Sequence, residues 1–275
     1  MTIRKAHHGS LLPPFYDSEK EITMKLSKIA GFVFLALLLP IASHAVGFEV
    51  AVSGWLPSPQ GEISYNPITD DDVIDIEDDL GYEDDRHVSG RVKLEIPIIP
   101  NIYLMATPLN FDEPGSKEQE FDFGDTTFSA GIDFESTLTL NMYDIGLYYD
   151  VPFLELASAG IFSVELGLNA RIFDTAVSIE QGILKETEDY IAACPLGYIG
   201  LRASPIDSLA FEAEARGVSY SDITVLSTIG RVKLSPFGPF FVAGGYRYEL
   251  LDIEIEDVAV DIQFNGPFAE AGIQF

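Results

Sequence analysis

The sequence is poor in the residues from which most catalytic and metal sites are made. Its 275 residues include one cysteine and four histidines. Cys194 has no partner in the chain, which excludes a disulfide scaffold, and so few Cys and His exclude a zinc site built from them. Basic residues are scarce too: 16 Lys+Arg stand against 44 Asp+Glu, a formal net charge of −28. Such a surface repels a phosphate backbone, so no nucleic-acid partner is expected. Long apolar runs are missing: the 11 residues of Ile29–Leu39 fall short of the roughly 20 that a membrane-crossing helix needs. No Gly-rich phosphate loop opens a helix, and no cofactor is called for. What the chain does hold is aromatic bulk, 19 Phe and 12 Tyr, enough for a core and too much for a disordered chain.

Residues 24–45 read MKLSKIAGFVFLALLLPIASHA. Lys25 and Lys28 precede the apolar run, Pro40 breaks it, and Ser43-His44-Ala45 presents small residues where a signal peptidase reads. This predicts a secretory signal peptide cleaved after Ala45. Residues 1–23 show no apolar period and read as an upstream extension ahead of a start at Met24. The remaining 46–275 carries 11 basic and 41 acidic residues and a single histidine, His87.

Within 46–275 the recurring period is two. Val164, Leu166, Leu168, Ala170 and Ile172 alternate with Ser163, Glu165, Gly167, Asn169 and Arg171. Val88, Gly90, Val92 and Leu94 alternate with Ser89, Arg91, Lys93 and Glu95, and similar runs cover 209–216 and 240–250. These are strands of 10 or more residues. Short turns are expected at Pro97–Asn101, Val151–Gly160, Ser204–Ser208 and Ser235–Pro239. Longer acidic connections are expected near 57–84, 112–128, 179–188 and 253–262, with a short one near 221–223. Short turns at one end and longer loops at the other describe an all-β, antiparallel, up-and-down transmembrane barrel. The turns join ten strands, or eight if the pair within 102–150 is mostly loop. A phase shift between Met142 and Tyr143 predicts a bulge or a misjudged strand there.

A soluble β-sandwich shares the alternation, but ordinary strands average only about 5–6 residues, whereas about ten tilted residues match a bilayer. The charges also separate by parity. With the apolar residues outward, Arg91, Lys93, Arg171, Arg202, Arg216, Arg231, Lys233 and Arg247 point inward. Glu49, Glu95, Asp144, Glu165, Glu212, Glu214, Glu249 and Glu270 point inward with them. Eight charges of each sign on one parity read as a lumen network, because unpaired charge in a confined space is costly. Most of the acidic excess then belongs to loops and rims.

The last strand, Gly266 to Phe275, ends in a carboxy-terminal Phe, which is similar to the signal that outer-membrane barrels present to their assembly machinery. Together with Ile74-Asp75-Ile76-Glu77-Asp78-Asp79-Leu80-Gly81, the run Val92–Asn101, Gly244-Gly245-Tyr246-Arg247-Tyr248 and Gly266-Pro267-Phe268, the chain resembles a family of Gram-negative outer-membrane β-barrel proteins of unassigned function. The resemblance implies an outer-membrane location and contact with its lipid and lipopolysaccharide. It brings no catalytic residues.

Three functional readings follow. The first is a non-enzymatic barrel, structural or a narrow or plugged pore with a charged lumen. The second is a hydrolase at the rim using His87, with Asp84, Asp85 or Ser89 as partners. The third is a barrel whose acidic block, Asp70-Asp71-Asp72, Asp75, Glu77-Asp78-Asp79 and Glu83-Asp84-Asp85, binds divalent cations or an external partner. The spacing of that block is not an EF-hand, so calcium chemistry rests on ligand type alone. Cys194 falls on the inward parity and reads as a small filler.

Overall fold

The computed structural model describes residues 46–255 and 258–275, so the expected leader and upstream extension lie outside the described residues. The strands are β1 (Gly47–Trp55), β2 (Ser58–Tyr65), β3 (Ile74–Asp75), β4 (His87–Glu95), β5 (Asn101–Gly115), β6 (Phe121–Phe123), β7 (Thr126–Phe128), β8 (Phe134–Asp150), β9 (Phe162–Gln181), β10 (Leu184–Ile206), β11 (Leu209–Tyr220), β12 (Ile223–Phe237), β13 (Phe240–Ile255) and β14 (Val258–Gln274). Ten of them form the wall in the order β1-β4-β5-β8-β9-β10-β11-β12-β13-β14, and β1 returns to pair with β14. All these pairs are antiparallel, so the wall is closed with ten strands, as the turn count predicts.

β2 continues the line of β1 along β14 after a break at Leu56-Pro57: Trp55 lies opposite Phe268, and Ser58 opposite Asn265. Gly266 makes the break possible. Its carbonyl accepts the Trp55 indole N–H at 3.3 Å, and a β-carbon there would strike the Leu56 carbonyl.

The turn end matches the sequence reading. Its connections are residues 96–100, 151–161 with one helical turn at Leu154–Ala157, 207–208 and 238–239. The loop end differs. The stretches 179–188 and 253–262 are not loops: β9 and β10 run on until Gln181 faces Leu184, and β13 reaches Ile255. Polar residues keep these strands paired without hydrocarbon around them. Ser178 Oγ lies 2.9 Å from Thr187 Oγ1, and Lys185 pairs with Glu180 at 3.2 Å across the same two strands.

The expected bulge at Met142/Tyr143 is absent. β8 is continuous, with unbroken register against β5 and β9. The shift in apolar phase has another cause: the contents of the barrel change at that height. Below it Tyr143, Ile145, Leu147 and Tyr149 are exposed outward while Asp144 is buried inward. Above it Leu138, Leu140 and Met142 are buried inward. β9 repeats the change, with Arg171 inward and Leu166 and Leu168 exposed below, and Phe173 and Ile179 buried above. The turn-end half is therefore greasy outside and salty inside, and the loop-end half is the reverse.

Around the turn-end half the exposed residues form an apolar belt that includes Leu147, Leu168, Ile199, Leu201, Val232 and Val242. Exposed Tyr149, Phe162, Phe211 and Phe240 edge it towards the turns, and Tyr143, Tyr220 and Tyr246 stand towards its other side. Aromatic residues gather at membrane–water boundaries because each ring has an apolar body and, in Tyr, a polar tip.

Above the belt the wall has a gap that strands do not close. The β1–β4 pairing stops at Trp55 and His87, which leaves β2 and the upper part of β5 without a shared neighbour. The chain between β2 and β4 fills the space. Its β3 pairs Ile74 with Ile63 of β2, and the Asp79 carbonyl accepts the Ser116 N–H at 2.8 Å beside the end of β5. Ile74, Ile76, Leu80 and Tyr82 from this segment pack inward with Phe121, Phe123 and Phe128 of the β6–β7 hairpin and with Phe134.

Candidate functional site

The feature that any function must reckon with is the filled interior. From the turn end upward, the first layer holds Lys93 with Glu165 at 2.9 Å, Lys233 with Glu49 at 2.5 Å and Arg231 with Glu212 at 3.0 Å. Arg202 stands at the mouth with its side chain 40% exposed and Glu212 at 3.8 Å. Glu95, also at this mouth, is exposed and makes no ion pair among the described residues.

The second layer is tighter. Arg91 grips Glu270 through two bonds of 2.9 and 2.7 Å and also pairs with Glu49. Arg216 pairs with Glu214 at 2.7 Å and lies over the Tyr103 ring at 4.3 Å. Arg231 reaches Glu214 and, at 3.5 Å, Glu270. The small cavity lined by Ser53, Trp55, Arg91, Arg231, Arg247 and others holds about 10 Å³, room for about one water.

The third layer is sealed. Arg171 makes two bonds to Asp144 at 2.9 and 3.0 Å and one to Glu249 at 2.6 Å, with all three side chains 0% exposed. Glu249 is further held by Ser227 at 2.6 Å and by Arg247 at 2.7 Å. Arg247 lies 4.5 Å from the ring centre of Trp55, which begins the apolar fill above. The structure thus brings all the proposed lumen residues but Glu95 into contact with opposite charge. Glu49, between Arg91 and Lys233, and Asp144, against Arg171, take the inward places their parity predicts.

Over these layers sits an apolar plug. Phe111 stacks on Tyr82 at 5.4 Å and on Phe264 at 5.8 Å, and Phe121 stacks on Phe128 at 5.2 Å. The sequence reading missed the plug because it took 57–84 and 112–128 as acidic loops. A signal was present: Ile74-Asp75-Ile76 and Phe121-Asp122-Phe123 are period-two fragments inside those stretches.

The acids of the block serve the plug's backbone. Asp72 is buried and accepts from the N–H groups of Ile68, Thr69 and Asp122. Burial works to raise its pKa, but these bonds outweigh it and hold the carboxyl below its usual range. Asp75 accepts from the N–H groups of Glu77 and Asp78, in the side-chain-to-backbone pattern of Asp turns. Lys117 pins the segment through Asp79 and the Val73 carbonyl, both at 2.6 Å. Among the described residues no group of three or more His, Cys, Asp or Glu is placed to hold a metal ion.

His87 points into the barrel and lies against Phe111, with ring centres 4.9 Å apart. Its Nε2 has no hydrogen-bond partner, Asp84 and Asp85 are exposed, and Ser89 Oγ is bonded to Ser53 Oγ at 2.6 Å. The structure therefore does not bring Asp84, Asp85 or Ser89 to His87 as the alternative rim-hydrolase reading requires. Cys194 faces inward, half-buried against the apolar fill.

No family model matches the chain, and no curated protein matches it. Several solved structures do. The translocator domain of the autotransporter NalP from Neisseria meningitidis is 11% identical with a TM-score of 0.41, covering 93% of this chain and 98% of its own. The outer-membrane protease OmpT from Escherichia coli is 8% identical with a TM-score of 0.47, covering 85% and 99%. The attachment invasion locus protein Ail of Yersinia pestis is 9% identical with a TM-score of 0.33, covering 84% and 99%. These are likenesses in fold at low identity, and the weight of the assignment rests on this chain's own closure and belt. Strands in lipid must satisfy every backbone group, which only a closed wall achieves. The chain folds as a closed ten-stranded β-barrel of the outer-membrane type.

Proposed function

We propose that the protein is a non-enzymatic, plugged barrel of the outer membrane, a structural scaffold that carries a rigid apolar-cored head beyond the lipid. The observation that carries this reading is the interior: three layers of paired charge block one half and packed aromatics block the other. Small barrels fill their interiors with side chains rather than leave a channel. The lack of a hydrogen-bond partner at His87 Nε2, with the ring against Phe111, weighs against a rim hydrolase. The partners proposed are outer-membrane lipid and lipopolysaccharide around the belt, and the barrel-assembly machinery through the strand ending at Phe275. Divalent cations bridging the exposed Glu83, Asp84 and Asp85 to phosphorylated lipid belong to the same reading.

Planar-bilayer recording of the refolded protein tests it. A plugged barrel gives no unitary conductance steps at moderate voltage. Regular steps, with ion selectivity altered by Arg91→Ala, would replace the plug with a pore. Unchanged lipid A and phospholipid profiles in cells carrying His87→Ala would agree with the non-enzymatic reading, and altered profiles would overturn it.

A further inference from the structure

One strand of the wall is paired on only one side for much of its length. β10 pairs with β9 from Leu184 to Ala203, but with β11 only from Gly197 towards the turns. The last residues of β11, Val218–Tyr220, pair with β12 alone. The stretch Leu184–Leu196 therefore has an open edge.

The hairpin fixes which groups face it. Gly182, at φ 65°, opens a two-residue turn with Gln181 opposite Leu184, and the pair flanking such a turn is hydrogen-bonded. Even-numbered residues of β10 then bond to β9. Lys185, Thr187, Asp189, Ile191 and Ala193 present their N–H and C=O groups outward. Pro195 agrees with this phase: its missing N–H falls on the open side, where the β9 pairing loses nothing. It also sets Ala193 as the lower limit for anything that pairs there.

Exposed edges are usually guarded by lysine or proline. Here the one lysine, Lys185, is engaged by Glu180 at 3.2 Å, and the strand is acidic on both faces: Asp189 lies on the outer one, and on the inner one stand Glu188, beside Tyr65, and Glu186, which accepts from Thr126 Oγ1 at 2.5 Å. The field is felt at Tyr65, whose hydroxyl pKa is raised by Glu188 foremost, then by burial, Asp125 and Glu186. Beside these acids Tyr190 and Ile191 are 70% and 74% exposed.

We propose that the open edge of β10 between Lys185 and Ala193 is a docking strand for an extended, lysine- or arginine-rich segment of another protein, which joins the wall as an added strand. Backbone pairing supplies the contact and the acidic fringe supplies the choice of partner. A second copy of this chain fits poorly, because it would set the same acids against one another.

The probe is a fluorescein-labelled peptide of alternating lysine and threonine, added to the refolded full chain in micelles. Bound peptide is expected to slow amide exchange along 185–193. Ile191→Pro removes one outward donor and is expected to weaken binding by about tenfold, roughly the value of one lost hydrogen bond at a strand. Ile191→Thr keeps the N–H and should bind within about twofold of the parent, since one side-chain contact is worth little beside the backbone pairing. Heat-modifiable gel mobility checks that each variant is folded, and Ala193→Pro substitutes if Ile191→Pro is not. Binding that ignores both prolines is mere charge attraction and overturns the proposal. So does an exchange pattern unchanged by the peptide, or a dimer of the protein lost on Ile191→Pro.

Discussion

The two halves of this barrel solve the same packing problem with opposite chemistry. In the turn-end half the solvent outside is hydrocarbon, so apolar residues face out and the interior must absorb what polarity the strands carry. Arg171, Asp144 and Glu249 lie there fully buried and mutually bonded. In the loop-end half the outside is wet, and Phe111, Phe121, Phe128 and Phe134 fill the interior as they would in a soluble protein. The difference teaches that interior chemistry follows from what surrounds the wall. The ionic half holds by pairing that fails abruptly when one member is lost. The apolar half holds by area and yields in proportion to what is removed.

Substitutions can break or sharpen that contrast. Arg171→Ala leaves the buried Asp144 carboxylate without its cation and takes one of two from Glu249, and it should cost about 3–5 kcal/mol, the penalty of breaking a buried ion pair. The gel-monitored urea midpoint of the barrel should fall accordingly. Replacing Arg171 and Asp144 together with apolar residues of similar volume, which leaves Glu249 paired with Arg247, should recover most of that loss; no recovery would mean that the charges do more than neutralise one another. Phe128→Ala should cost about 3 kcal/mol through its cavity. Its loss should appear as faster amide exchange in 116–133, with the belt strands unaffected. A matching change in the barrel midpoint would show that the halves are one cooperative unit. Lys117→Ala should cost about 1.5 kcal/mol, the scale of a hydrogen bond to a charged group, and free 70–82 to exchange.

The smallest effect is with pH. The Asp72 carboxyl is held below its usual range by backbone N–H donors. It contributes stability above its unfolded pKa that is lost as pH falls through its lower folded value. Acidification below about pH 4, the ordinary range of an Asp carboxyl, should therefore loosen 66–80 while the heat-modifiable barrel persists. Loosening on alkalinisation instead would reverse the assigned sign.

The wall itself was legible because alternation and turn residues are local. Pro97–Asn101, Ser204–Ser208 and Ser235–Pro239 marked the ends of strands, and parity alone placed Arg91, Arg216, Arg231 and Arg247 inside. What was hidden depended on height in the membrane, which no local pattern encodes. The shift at Met142/Tyr143 resembled an error in the strand when it was the waterline. The strands through 179–188 and 253–262 were masked because their outward residues, such as Ser178, Glu180, Asp252 and Glu254, are polar above that line. The plug was masked because its carboxylates, chosen for turns, outnumber the few isoleucines and phenylalanines that anchor it. His87 drew notice as a rare residue type, yet only its contact with Phe111 shows how it is used.

The seating of β2 on β14 has a structural consequence. The acidic insert rests on β2, and β2 rests on the final strand of the sequence. The cap therefore has no seat until β14 is in place, so a chain lacking Val258–Gln274 would lose at one stroke the strand that closes the wall and the support of everything above it.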